Sequence, residues 1–141
     1  MKFLLVLFSI YSICGFSQDM NVVYISYNVD NKTVSEKNSK TVQENGEITF
    51  YIGGNYFECN NISDAKEILP TDIKEFNLKT TSEIINYRNK LLKEEVKKSE
   101  KSGTLRFLMN YEIFEQIYIL EKKNNSILKY PVTWLEVIEC Q

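Results

Sequence analysis

Ile48-Thr49-Phe50-Tyr51-Ile52-Gly53-Gly54-Asn55-Tyr56-Phe57-Glu58-Cys59 is the stretch that decides the fold. Two runs rich in β-branched and aromatic residues flank a Gly-Gly pair, the signature of a β-hairpin with a two-residue turn. A two-residue loop fixes the register. Ile52 must face Asn55, Phe50 must face Phe57, and Ile48 must face Cys59. Because side chains alternate across a strand, one face then carries Ile48, Phe50, Ile52, Phe57 and Cys59. The other carries Thr49, Tyr51, Tyr56 and Glu58. The first is a core face and the second is half polar.

Working outward, Asn21–Asn28 reads as a strand with Val23, Ile25 and Tyr27 on one side. Between it and the hairpin, Val29 to Gly46 is rich in Asn, Lys, Ser and Glu and reads as a loop. On the other side, Asn60 to Lys79 carries Pro70 and candidate caps at Ser63 and Thr71, and reads as irregular with short turns. Thr80 and Glu83 then stand at capping-box spacing before a helix over about Thr81 to Glu100. Its apolar stripe is Ile84, Ile85, Leu91, Leu92 and Val96, and Gly103 ends it. The exposed lysines of this helix, Lys93, Lys97, Lys98 and Lys101, read as its wet side.

Period two returns at Leu105, Phe107, Met109 and Tyr111, which predicts another strand. A second hairpin follows, Phe114–Lys122 and Ile127–Val132 about a turn at Asn124-Asn125. It places Ile117 and Ile119 on one face with Leu128, Tyr130 and Val132. Pro131 cannot donate to a ladder, so its strand should be an edge or be bulged there. Trp134 to Glu139 continues as a last strand or an extended tail. Strands joined by short connections favour antiparallel pairing. The expected fold is α+β: a single twisted antiparallel sheet of five or six strands, packed by one long helix.

The N-terminus predicts export. Lys2 precedes an uncharged, mostly apolar run from Phe3 to Cys14, and Gly15-Phe16-Ser17 supplies small residues at −3 and −1 of a peptidase site. The run is too short for a spanning helix, which needs about 20 residues. Residues 1–17 thus read as a signal peptide, and 18–141 as a single domain in the periplasm or the medium. Cys14 also raises acylation as a bacterial lipoprotein, but Ile13 stands where that processing wants a small residue. The 17 basic residues comprise 15 lysines and 2 arginines, a profile expected of an AT-rich bacterial genome.

Function is narrower in what it excludes. The chain has 17 basic residues, 19 acidic residues and no histidine. The balance lacks the basic footprint of a nucleic-acid binder. Without imidazole, Ser-His-Asp and Cys-His nucleophile arrangements and most catalytic zinc sites are gone. Gly53-Gly54 lacks the lysine and hydroxyl residue of a phosphate loop, and no cofactor motif is present. A glycosidase-like pair of carboxylates is the remaining enzymatic chemistry, with Glu112, Glu115, Glu136 and Glu139 near structured segments. Cys59 and Cys140 survive leader removal, and an exported chain with two cysteines predicts their disulfide. The alternative is two unpaired thiols. Tyr51 and Tyr56, opposed on the half-polar hairpin face, form a candidate contact face for a protein or an envelope glycan. The leading expectation is a non-enzymatic binding domain, and the rival is a small hydrolase of cell-wall polymer.

Overall fold

A computed structural model describes residues 21–27, 38–104 and 106–136. The leader, Cys14, Leu105, Glu139 and Cys140 lie outside the described residues. In chain order the elements are β1 (Val22–Tyr27), β2 (Ser39–Val42), β3 (Ile48–Ile52), β4 (Asn55–Cys59), β5 (Lys66–Ile68), α1 (Thr81–Ser102), α2 (Asn110–Ile113), β6 (Gln116–Lys123) and β7 (Ser126–Leu135). They form an α+β fold, with one main helix and a mixed sheet of seven strands. The sheet order is β1-β6-β7-β4-β3-β2, with β5 also pairing β7.

The first hairpin has the register its loop length dictates: Ile52 faces Asn55, Phe50 faces Phe57 and Ile48 faces Cys59. All five residues of its apolar face are buried. Gly53 and Gly54 both have positive φ, 54° and 78°, as a hairpin turn of the primed type demands. Gly53 has a second duty. A Cβ there would collide with the Thr81 side chain at the start of α1. Gly53→Ala should therefore cost about 1–3 kcal/mol through φ strain and the clash, against less for Gly103→Ala, where φ is also positive but nothing lies within 4 Å of the added Cβ. Equal losses by thermal denaturation would remove the clash from the explanation.

The second hairpin also keeps its expected register, with Ile117 facing Val132 and Ile119 facing Tyr130. The helix starts on its capping box: the Glu83 amide donates to Thr80 Oγ1 at 3.2 Å, and the Thr80 amide donates to Glu83 at 2.8 Å. The Thr80 amide and the Thr80 hydroxyl both donate to the Glu83 carboxylate and hold it below its ordinary pKa. Gly103, at φ 70°, closes the helix with its amide on the Ser99 carbonyl. Ile84 is fully buried and Ile85 and Leu91 pack on the core, but Val96 is 46% exposed. The predicted stripe thus meets the core along the first part of the helix, and the turn at Val96 faces solvent.

Four expectations fail, each for a physical reason. The sheet is not wholly antiparallel, because β1 pairs β6 in parallel, Val23 beside Ile117 and Ile25 beside Ile119. Alternation identifies a buried face but carries no information about which distant strand completes the ladder. A short strand, β2, forms inside the stretch read as a loop and pairs β3. Its sequence is polar because it is a mostly exposed edge, where charge discourages further pairing. Residues 60–79 contain β5 beside two 3₁₀ turns, Ile62–Asp64 and Pro70–Glu75, and Asn61 rather than Ser63 caps the first. Finally, no strand forms at residues 106–111, where another was expected. Residues 106–109 have no regular structure, and Asn110–Ile113 is one helical turn. Glu112 accepts from the Met109 amide at 2.9 Å and pairs with Arg106 at 2.9 Å, a local alternative to a ladder.

The sheet curls around its core without closing. Tyr27 on β1 meets Phe50 on β3 edge to face at 5.3 Å, although three strands separate them in the order. From the far edge, Lys40 on β2 reaches Glu121 on β6 at 2.8 Å and the Tyr130 hydroxyl on β7 at 3.0 Å. Curling therefore brings both edges over one core centred on Phe50, Tyr130 and Ile119.

Candidate functional site

β7 carries the site. Along one flank β5 pairs only Ile127, Leu128 and Lys129, and β4 pairs only Thr133, Trp134 and Leu135. Neither reaches residues 130–132, and Pro131 sits in that gap. Proline has no N–H to leave unsatisfied, which suits it to a break in a ladder. The expectation of an edge or bulge is thus corrected: β7 is central, and its neighbour is interrupted instead.

Above the gap lies a groove of about 380 Å³, which also reaches the core residues Phe114, Ile117, Val132 and Trp134. Pro131, Thr133 and Leu135 belong to its floor by strand alternation. One wall comprises Met109, Tyr111, Phe114 and Glu115, and the other Glu58, Asn60 and Asp64. Tyr111 is 73% exposed. Asn110 anchors the first wall from beneath: its amide group donates to the Trp134 carbonyl, and its Oδ1 accepts from Arg88 at 2.5 Å. Phe114 packs between Tyr87 and Trp134.

Four carboxylates line this groove, Glu58, Asp64, Glu115 and Glu136, and no lysine or arginine does. Glu136 is held by Arg88 at 3.4 Å and by the Asn110 amide at 3.1 Å. Glu58, Asp64 and Glu115 have no ion pair among the described residues. Asp64 and Glu115 are exposed.

A second cavity of about 400 Å³ shares Asp64 and Pro131 with the first, so the two adjoin, and together they are the trough. Its other lining residues include Lys66, Lys129 and Tyr118. Lys66 and Lys129 are direct cross-strand partners. Lys129 lies 4.8 Å from the Tyr118 ring centre and 5.8 Å from that of Phe76. Tyr24 stacks on both rings, at 5.2 Å and 4.3 Å, which fixes this platform against β1 and β6.

Compared with known protein families, curated proteins and solved structures, the chain matches none. The site must be read from its own geometry.

Of the residues singled out in the sequence, Tyr51 and Tyr56 do come together, ring centres 4.9 Å apart, with Tyr56 42% exposed. Tyr56 faces Leu135 across the β4–β7 ladder, so the pair flanks the groove. Of the four glutamates, Glu115 and Glu136 line it. Glu112 instead supports the turn before α2, where the Met109 amide and Arg106 hold its carboxyl below the ordinary pKa. Glu139 lies outside the described residues. Cys59 is fully buried, and its thiol donates to the Asn61 carbonyl at 3.3 Å. Burial pushes its pKa up, which makes it a poor nucleophile as a thiol. Its proposed partner, Cys140, is outside the described residues. Among the described residues, no three acidic or cysteine side chains converge closely enough to hold a metal ion.

Sequence reading missed Glu58, Asp64, Lys66 and Lys129 as members of one site. Only Pro131, a proline within a strong strand pattern, signalled that something interrupts the sheet there.

Proposed function

We propose that residues 18–141 form an exported, non-enzymatic binding domain whose contact surface is the trough over Pro131 together with the Tyr51–Tyr56 pair. Its partner is a protein or glycan of the cell envelope. The observation carrying this reading is the groove itself: a concave, partly aromatic surface with three carboxylates left unpaired, flanked by a tyrosine pair of which Tyr56 is exposed. Aromatic side chains bury area at low entropic cost, and sites of this make-up suit recognition.

The hydrolase reading has one observation in its favour, four carboxylates in one groove. A general acid, however, must hold its proton near neutral pH, which takes burial. Asp64 and Glu115 are exposed, and Glu136 is committed to Arg88. Binding is therefore the better reading.

Export completes the proposal: cleavage after Ser17, a mature chain from Gln18, no acyl group on Cys14, and a Cys59–Cys140 disulfide. Intact mass of native protein and non-reducing peptide mapping check these points. Capture from envelope fractions, with proteins and glycans both identified, tests the function. A true partner should be lost with Tyr111→Ala and Glu58→Ala and kept with Lys93→Ala on the exposed face of α1. Equal capture by all three, or release of sugars from cell-wall polymer by the pure protein, would overturn the reading.

A further inference from the structure

The trough has opposite charges at its two ends, and their spacing is that of an extended chain. Glu58 faces Thr133 on β7, and Lys66 faces Lys129 on the same strand. Thr133 and Lys129 are four residues apart, about 13 Å at the rise of a strand. Four is an even number, so both positions project to the same sheet face. The acidic end gathers Glu58 and Glu115 beside the exposed Tyr111 ring, and Asp64 lines both cavities where they meet. The basic end presents Lys66 directly opposite Lys129.

Neither end satisfies itself. Like charges directly opposite each other in a ladder are destabilising. No carboxylate lies within ion-pair distance of Lys66 or Lys129 among the described residues. Lys129 is braced by the Tyr118 and Phe76 rings rather than by an anion. A uniformly charged polymer would be repelled at one end, and a neutral glycan would leave both ends uncompensated.

Resting on the binding reading above, we infer that the trough takes an extended peptide segment bearing a lysine or arginine and, four positions away, a glutamate or aspartate. The basic side chain enters between Glu58 and Glu115, with Tyr111 offering its ring face to the cation. The carboxylate bridges Lys66 and Lys129. The segment's backbone runs along β7 over Pro131.

The test uses four blocked pentapeptides with a Ser-Thr-Ser centre and ends Lys/Glu, Lys/Lys, Glu/Glu or Ser/Ser, titrated to millimolar concentration into the isotope-labelled mature protein. The Lys/Glu peptide should shift the amides of residues 58–66 and 129–135. It should bind about tenfold more tightly than the others, and the advantage should shrink as salt rises. Lys66 is exposed, so Lys66→Glu should fold and, by neutralising that end against Lys129, should abolish most of the tenfold advantage of the Lys/Glu peptide. Equal binding of all four peptides in the trough would overturn the charge pattern and leave the groove as a binding site. No shift with any peptide, while groove substitutions still abolish capture of an envelope partner, would overturn the peptide class alone. Shifts confined to α1, away from the trough, would overturn both readings.

Discussion

Phe50→Ala is expected to cost about 3–5 kcal/mol, a large share of the 5–15 kcal/mol that holds a typical domain together. Phe50 has no exposed surface. Its ring meets Tyr27 at 5.3 Å and Tyr130 at 5.1 Å, both edge to face, and Lys40 lies over it at 5.6 Å. Those contacts come from β1, β7 and β2, so truncation opens a cavity where the curled sheet meets itself. Rigid strands on three sides cannot collapse into that space, which places the cost toward the upper part of the range. Denaturant unfolding of Phe50→Ala beside Thr49→Ala, on the other face of the same strand, makes the measurement. Comparable losses would mean that the core is centred elsewhere.

What was legible in the sequence follows the range of each signal. Local signals held. The Gly53-Gly54 turn set the register of β3 and β4 by itself, and Thr80, Glu83 and Gly103 bounded the helix. The parallel pairing of β1 with β6 was illegible, because Val23, Ile25 and Tyr27 would look the same against any buried partner. So was β2, whose Ser-Lys-Thr-Val sequence has the polarity of a loop because it lies on an exposed edge. Leu105–Tyr111 misled in the opposite sense. Its alternation imitates a strand, yet Phe107 and Tyr111 are each 73% exposed. Hydrophobic period reports burial only when a residue is in fact covered, and Tyr111 instead lines the groove.

The site was legible only in fragments. Tyr51 and Tyr56 were found because one turn sets their pairing. Glu58 was assigned to the correct face, but its companions come from the first 3₁₀ turn and from the chain just after α2. No spacing in the sequence links Glu58, Asp64 and Glu115, since the neighbour of each is decided by the ladders on β7.

Lys40→Ala is expected to cost about 3 kcal/mol, the low end for breaking a buried ion pair, since the two side chains keep 15% and 12% exposure. The loss is chiefly that of Glu121, left charged at the core's edge with only the Tyr130 hydroxyl, 2.7 Å away, to donate to it. Burial by itself would raise the Glu121 carboxyl. The hydrogen bonds from Lys40 and Tyr130 and the Lys40 charge outweigh it, and the folded pKa lies below the ordinary value. The sign follows. A carboxylate depressed on folding stabilises the protein above its unfolded pKa, about 4.3, and that contribution is lost as pH falls through the folded value. Tyr130 is shifted upward by burial and by Glu121, so its contribution is intact below about 10 and declines only in stronger base. Between those limits this triad makes stability flat. Lys40→Ala should remove the acid-side decline that belongs to Glu121, because its carboxyl is then no longer depressed. Lys40→Met combined with Glu121→Gln should recover most of the loss, since glutamine still accepts from Tyr130 and no charge remains to be solvated. If Lys40→Met alone were as stable as the double variant, lost packing of the lysine stem on Phe50 and Tyr130 would be the whole effect. The bridge between β2 and β6 would then contribute shape rather than charge.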